Sequence, residues 1–302
     1  MTLHCWSSPK YAIELPPGHR FPMEKYALLR DGALAAGLVR AGETLHEPER
    51  VAHEDLRRVH SAAYVRDIEQ GTLDDAAQRR IGLPWSEAFV ERAFRVANGT
   101  VQAATHAVRH GIAMNLAGGT HHAHADFGEG FCVFNDVAIA IRRLQHDGAI
   151  ARACIVDCDV HQGNGTNAIF ADDDSVFTLD LHGARNFPFR KTPATRDVPL
   201  DDGTGDDAYL AALAAELPRA LHAARADLVV YLAGADPHEG DRLGRLRLTF
   251  DGLAARDEFV LRSCREIGLP VCVVIAGGYG RDVRDTVRVH LSTLSIASRY
   301  AC

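Results

Sequence analysis

Asp157, Asp159 and His161 alternate within the stretch IVDCDVHQGNGT. On a strand, side chains two apart share a face, so two carboxylates and an imidazole would meet at one place while Cys158 and Val160 pack on the other side. Such a group repels itself and stays poorly solvated unless it holds a cation. A single acidic residue at a strand end is ordinarily a cap or turn residue. The D-x-D-x-H pattern is harder to explain that way. Asp236 alone would also read as a turn residue, but beside the others it completes an oxygen, nitrogen, oxygen donor set with an open position, suited to zinc or another divalent ion. His121 and His122 follow two glycines, whose turn can bring both rings to one pocket. Beside a metal, one imidazole can take a proton from water and the other can protonate a leaving amine. Tyr279, in the glycine-rich run AGGYG, can donate a hydrogen bond to a developing oxyanion. His124, Cys154 and Cys158 read as structural residues.

These residues require a frame that gathers them. Five short apolar runs predict buried strands: Ile112 to Ala117, Ala153 to Val160, Val176 to Leu181, Leu228 to Ala233 and Val271 to Ala276. Between and around them, helical spacing predicts helices over Ser86 to His110, Val137 to Leu144, Tyr209 to Ala224, Leu253 to Ile267 and Val283 to Ala297. The alternation implies an α/β fold with a mostly parallel sheet flanked by helices. Four of the five strands run directly into the clusters at 118–122, 157–161, 234–236 and 277–280, and open α/β sheets bind ligands along that carboxyl edge. No linker, repeat or charge block divides the chain, so one domain over 1–302 is expected, with Phe187 to Gly205 as a surface loop.

Composition agrees. The 302 residues are 47% apolar and 24% charged with a net charge of -7, which excludes a disordered chain and gives no electrostatic footprint for nucleic acid. Only three of the 33 basic residues are lysines, which we read as GC-rich coding and a bacterial source. The odd, scattered set of seven cysteines does not form a disulfide framework. The amino terminus lacks signal-peptide features and no apolar run approaches a bilayer span, so a soluble, cytoplasmic protein with no membrane partner is expected.

The motifs together resemble the zinc-dependent histone deacetylases of the arginase/deacetylase fold. GGTHHAHADFGEGFCVFND (118–136) is similar to that family's histidine-pair and tunnel motif, IVDCDVHQGNGT (155–166) to its metal strand, GADPHEGDRLG (234–244) to its third-ligand loop and AGGYG (276–280) to its tyrosine loop. GHRFPMEKY (18–26) and VHSAAYV (59–65) resemble its amino-terminal signatures. The EGDRLG segment and compact length look most like class IV and related bacterial members. The resemblance implies that Asp159, His161 and Asp236 bind one Zn2+, that His121 and His122 are the acid/base pair, that Asp157 orients His121, and that Tyr279 stabilises the tetrahedral intermediate. It further implies that Gly130, Phe131 and Phe187 line an acyl-lysine tunnel, that Arg20 sits at an acetate exit, and that K+ binds through backbone oxygens near Asp157, Asp159, His161 and Leu181. Three positions depart from the family pattern. Asn164 stands where many members pair an Asp with the second histidine; a neutral partner raises the pKa of His122 less and helps it remain a base. Ala62 replaces a rim Asp that grips peptide backbone. Leu243 stands where polyamine-preferring members carry an acidic gatekeeper.

The expected function is therefore a zinc-dependent lysine deacylase acting on an acyl-lysine protein or peptide. The alternatives are an amidohydrolase of a small acylated amine or metabolite, a non-catalytic acyl-lysine binding module, and, less favoured for want of bridging carboxylates, a two-manganese arginase-like enzyme.

Overall fold

The structure, a computed structural model, describes residues 2–301. Eight strands form one all-parallel sheet: β1 (His4–Trp6), β2 (Leu45–His46), β3 (Ile112–Asn115), β4 (Ala153–Asp157), β5 (Val176–Gly183), β6 (Arg196–Leu200), β7 (Leu228–Leu232) and β8 (Val271–Val274), in the order β2-β1-β3-β8-β7-β4-β5-β6. Ten helices accompany them: α1 (Lys25–Ala35), α2 (His53–Arg57), α3 (Ala62–Gln70), α4 (Asp75–Ile81), α5 (Glu87–His110), α6 (Asp136–His146), α7 (Asn164–Ile169), α8 (Asp206–Ala224), α9 (Phe250–Glu266) and α10 (Val283–Arg299). The α/β reading of the sequence holds, and the five predicted strands and five predicted helices form with shifts at their ends.

Every residue of β3, β4, β7 and β8 is buried. Their near-continuous apolar runs match strands covered on both faces. The longest helix, α5, starts where the Ser86 side chain accepts the Phe89 N–H and stops at Gly111, whose φ of 94° admits no ordinary side chain. Its inner face buries Phe89, Phe94, Val96 and Ala103, and Phe94→Ala would cost about 3–5 kcal/mol. Gly99 lets it approach the sheet, since a Cβ there would stand 2.3 Å from the Tyr11 hydroxyl and 2.9 Å from Asn115.

The sheet order explains how one site can be assembled. The chain leaves β3, crosses to β4, builds outward to β6, and returns to insert β7 and β8 into the gap. The four strands whose ends carry the polar clusters are therefore contiguous at the centre. Asn115 pairs with Val274, Val274 with Leu232, and Leu232 with Asp157, so all four loops leave the sheet at one level.

Two expectations are corrected. Residues 187–205 are not loop throughout, because β6 pairs with β5 at the sheet edge. Its sequence, RDVPL, lacks a buried apolar run and holds Pro199, which an edge strand tolerates. The strand carrying Asp157 also ends there, and Asp159 and His161 lie beyond the ladder. Asp157 Oδ1 accepts the Asp159 N–H at 3.0 Å and Asp159 Oδ1 accepts the His161 N–H at 2.9 Å. Two successive Asx turns, not the pleat of a strand, thus bring these residues together.

Candidate active site

The Gly118-Gly119 turn that follows β3 has φ values of 81° and 73°, and Asp136 at the start of α6 fastens it. The Asp136 carboxylate accepts the Gly119 N–H at 3.0 Å and the Thr120 N–H at 2.7 Å. The turn presents His121 and His122 side by side, ring centroids 4.2 Å apart, both buried.

The two imidazoles have different partners. His121 Nδ1 is 2.7 Å from Asp157 Oδ2; burial would lower its pKa, but Asp157 and Asp159 outweigh this and raise it to about 9. His122 Nδ1 is 2.7 Å from Asn164 Oδ1, and burial, then the neighbouring His121 and His161, hold its pKa well below the ordinary histidine value. Asn164 Nδ2 donates to Glu129 Oε1 at 2.6 Å, which fixes the amide with its oxygen toward His122. His122 therefore carries its proton on Nδ1 and leaves the Nε2 lone pair free. The two neighbouring rings are thus pushed in opposite directions, His121 toward its protonated form and His122 toward its neutral one.

Asp159, His161 and Asp236 are buried and offer donor atoms within 4.8 Å of one another. His161 Nδ1 stands 3.0 Å from Asp159 Oδ1 and 3.1 Å from Asp236 Oδ2. Burial is outweighed by these carboxylates, which raise His161 to about 10, while Asp236 is pushed up to about 7 by burial and by Asp159. The cluster demands positive charge, and its O, N, O set fits a divalent ion. Gly277 keeps the space clear, since a Cβ there would lie 2.0 Å from Asp236 Oδ2 and 2.5 Å from Asp159 Oδ2. Behind the loops, the fully buried Arg256 guanidinium donates to the Gly234 carbonyl at 2.7 Å and the Cys158 carbonyl at 3.2 Å, tying together the loops that carry Asp159 and Asp236.

Tyr279 packs its ring 6.0 Å from that of His161, and its backbone N–H donates to Asp241 Oδ2 at 2.6 Å. Burial, with Asp159 and Asp236, holds its phenol well above the ordinary tyrosine value, so it stays a donor. Gly130 (φ 57°) and Phe131 (φ 68°) complete the wall. A Cβ on Gly130 would come within 2.7 Å of the His122 ring, and Phe187 stands edge-on to that ring at 4.9 Å. A φ of 68° is unusual for an aromatic residue and marks a locally strained wall.

A cavity of about 30 Å³ is lined by His121, His122, Gly130, Phe131, Asp159, His161 and Tyr279. Asp157, Asn164 and Asp236 hold these side chains from behind. Leu243 is half-buried outside this lining, its carbonyl held by Asn186 at 2.7 Å. Arg20 is not in the lining either: it precedes α1, and its carbonyl accepts from Arg242 at 3.2 Å. The cations that do line the cavity are Lys25, donating to the Ala276 carbonyl at 3.3 Å, and Arg92, donating to the Tyr26 hydroxyl at 2.9 Å. Sequence reasoning missed both, along with Glu129, Asp136 and Arg256. Lys25 carried one usable signal, being one of only three lysines in the chain.

The comparisons with known proteins agree with this geometry. The histone deacetylase domain family matches residues 19–294. An uncharacterized protein of Picosynechococcus sp. is 46% identical over 291 residues, covering 96% of each chain. The histone deacetylase-like amidohydrolase of Pseudomonas aeruginosa is 32% identical over 292 residues, 91% of this chain and 75% of that one. Histone deacetylase 2 of Arabidopsis thaliana is 31% identical over 286 residues, covering 92% and 74%. Among solved structures, an HDAC homolog from Aquifex aeolicus superposes with a TM-score of 0.86 at 23% identity, over 99% of this chain and 84% of that one. With a parallel sheet of this order and a family match across nearly its whole length, the chain belongs to the histone deacetylase family.

Proposed function

We propose that the protein is a zinc-dependent hydrolase that removes a short acyl group from a lysine side chain. The observation that carries this reading is the pair of neighbouring imidazoles with different partners: His121 beside the Asp157 carboxylate, His122 beside the neutral Asn164 amide, each at 2.7 Å. A binding module would need no such division.

Asp159, His161 and Asp236 would hold the metal, which when bound polarises the amide carbonyl and acidifies water. His122 Nε2 takes the proton of the attacking water. The Tyr279 phenol donates to the oxyanion as the carbonyl carbon becomes tetrahedral. His121, favoured in its protonated form, steadies that charge, and a protonated histidine of the pair delivers a proton to the departing lysine nitrogen as the C–N bond breaks. Products are the free amine and a carboxylate, and Lys25 and Arg92 are the cations placed to meet the latter. The potassium implied by the resemblance enters no step.

The small cavity has room for about two waters, which favours acetyl or lactyl over long acyl chains. Phe189, 87% exposed and edge-on to Phe187, offers an apolar rim to a peptide. Ala62, with no carboxylate to grip a peptide backbone, supports the second reading of a small acylated amine. No helix among the described residues is long and apolar enough to cross a membrane.

The test is release of lysine amine from matched peptides bearing acetyl, lactyl, octanoyl and myristoyl groups, with acetylated small amines alongside. The zinc-loaded protein should turn over the short-acyl peptides fastest and lose activity to a chelator. Turnover of small amines alone would favour the second reading. No turnover of any substrate, with stoichiometric zinc bound, would leave a binding module.

A further inference from the structure

The loops that wall the active-site cavity are joined by one arginine. Arg242 follows Asp241 in the loop that carries Asp236, and its side chain reaches across to two other loops. Its Nε donates to the Tyr279 carbonyl at 3.0 Å and its Nη2 to the Arg20 carbonyl at 3.2 Å. Its backbone N–H also donates to the Tyr279 carbonyl, at 3.3 Å. Tyr279 and Phe21, the residue after Arg20, both line the cavity, their rings 6.0 Å apart. Arg242 is thus fixed beside the wall that Tyr279 and Phe21 form, yet it remains exposed.

Arginines on this surface commonly face a carboxylate, as Arg66 does with Asp67, Arg196 with Glu216 and Arg284 with Asp282. Arg242 does not. Among the described residues no Asp or Glu oxygen lies within 4.0 Å of its guanidinium, whose partners are the two carbonyls. Its remaining N–H groups are unclaimed. A guanidinium already held by backbone has given up its rotamer freedom before a ligand arrives, so little ordering is left to oppose binding. Two further cations keep the sign of the charge. Arg20 and Arg190, the latter just past Phe189, are exposed and likewise meet no carboxylate within 4.0 Å among the described residues. Leu243, next along the chain, adds no charge. Such a surround disfavours a cationic substrate, and the planar fork of Arg242 matches a carboxylate.

An acyl-lysine whose amide lies at Asp159, His161 and Asp236 leaves its α-carbon at the far end of the side chain, toward the mouth of the cavity. A lysine inside a peptide carries no charge there, because both of its backbone groups are amides. A free or carboxyl-terminal acyl-lysine carries an α-carboxylate. We propose that Arg242 binds this carboxylate, so that the preferred substrates are Nε-acyl-lysines with a free α-carboxyl group. The inference rests on the hydrolase reading above, which sets the end of the substrate that enters, and it adds what the outer end must carry.

The test compares Nα-benzoyl-Nε-acetyl-lysine as its α-carboxylate and as its α-carboxamide, on the zinc-loaded protein at neutral pH and low salt. The acid should exceed the amide in kcat/KM by roughly fivefold, the upper end for an exposed ion pair. The excess should shrink as salt is raised. In Arg242→Gln the acid-to-amide ratio should fall toward unity. Both substrates are measured on one protein, so a general loss from disturbing the Tyr279 loop cancels. A ratio near unity in the unaltered protein, or one that Arg242→Gln leaves unchanged, would overturn the assignment. So would a preference found only for a flanking Asp over Asn beside an internal acetyl-lysine. If neither compound is hydrolysed, the hydrolase reading fails, and calorimetric titration of the same pair reads the carboxylate contact by itself. The acid should then bind more tightly and Arg242→Gln remove the difference; equal binding of acid and amide would sink the contact as well.

Discussion

Two Asp-x-His pairs, one just beyond β4 and one within the neighbouring β5, are each joined by a third carboxylate. After β4 come Asp159 and His161, met by Asp236 from beyond β7; on β5 stand Asp180 and His182, met by Asp197 of β6. Asp157 and Asp180 even pair in register. The residue types are the same, and so is the supply of donors. Asp159 accepts from the His161 N–H at 2.9 Å, from His161 Nδ1 at 3.0 Å and from the Gly277 N–H at 2.7 Å. Asp236 accepts from the Val160 N–H at 2.9 Å and from His161 Nδ1 at 3.1 Å. Asp180 accepts from the Gly163 N–H at 2.9 Å, from Asn167 at 3.2 Å and from His182 at 2.8 Å. Asp197 accepts from Gln162 at 2.7 Å and from the Ala194 N–H at 2.8 Å. In each group one imidazole stands between two carboxylates, His161 at 3.0 and 3.1 Å and His182 at 2.8 and 3.9 Å, but only the first group opens on the cavity that His121 and His122 line. Residue identity therefore does not separate a reactive centre from a structural brace. What separates them is access: Asp159 and His161 line the cavity shared with His121, His122 and Tyr279, whereas Asp180, His182 and Asp197 lie outside that lining.

The largest expected effect tests that distinction directly. Asp159→Asn should lose zinc and reduce kcat by about a thousandfold, since it removes a ligand and the charge that holds it. Asp180→Asn should keep zinc and most of its turnover but lose about 1–3 kcal/mol of stability, because a buried brace has been broken. Metal analysis and thermal melts of the two variants decide the matter. Zinc lost from Asp180→Asn with its melt unchanged would reverse the assignments.

A middle-sized effect concerns partners rather than residue types. Glu129 touches no reacting atom, yet it sets which end of the Asn164 amide faces His122. Glu129→Leu should lower kcat by about 10–100-fold with KM little changed, because the amide can then turn and offer the wrong group to the ring. Glu129→Gln keeps an acceptor and should retain most activity. Equal losses in both variants would mean that charge at 129, not orientation of Asn164, is what matters.

Much of this was legible in the sequence where an apolar run gave way to glycine and polar residues, as after Ala117, Val156, Ala233 and Ala276. Burial on both faces makes such runs unmistakable, and the parallel order then places their ends side by side. Strands β1 and β2 are three and two residues long, too short for any periodicity, and so neither was expected. The second Asp-x-His pair was hidden because β5 continues through it to Gly183, whereas the first marks the end of its strand. The cations of the cavity were misplaced for a different reason. Spacing along GHRFPMEKY does not reveal where the chain turns into α1, and that turn brings Lys25 inward rather than Arg20.

The smallest effect is in stability against pH, and it comes from the first group of the pair compared above. In metal-free protein, His121 and His161 are raised from 6.5 to about 9 and about 10 by the carboxylates around them. A histidine whose folded pKa is raised contributes stability fully below about 6.5, and that contribution is lost as pH rises through the folded value. The Tm of the metal-free protein should therefore fall between pH 6.5 and 10 as these imidazoliums discharge and leave Asp157, Asp159 and Asp236 unneutralised. Zinc should flatten the fall, because a divalent ion supplies the charge that the protons had supplied and displaces them on binding. Asp236→Asn should lessen the slope without zinc, since His161 then has one carboxylate fewer to hold its proton. A metal-free protein that grows more stable across that interval would show that these carboxylates do not hold the imidazolium protons, and the charge argument for a cation at Asp159, His161 and Asp236 would fail.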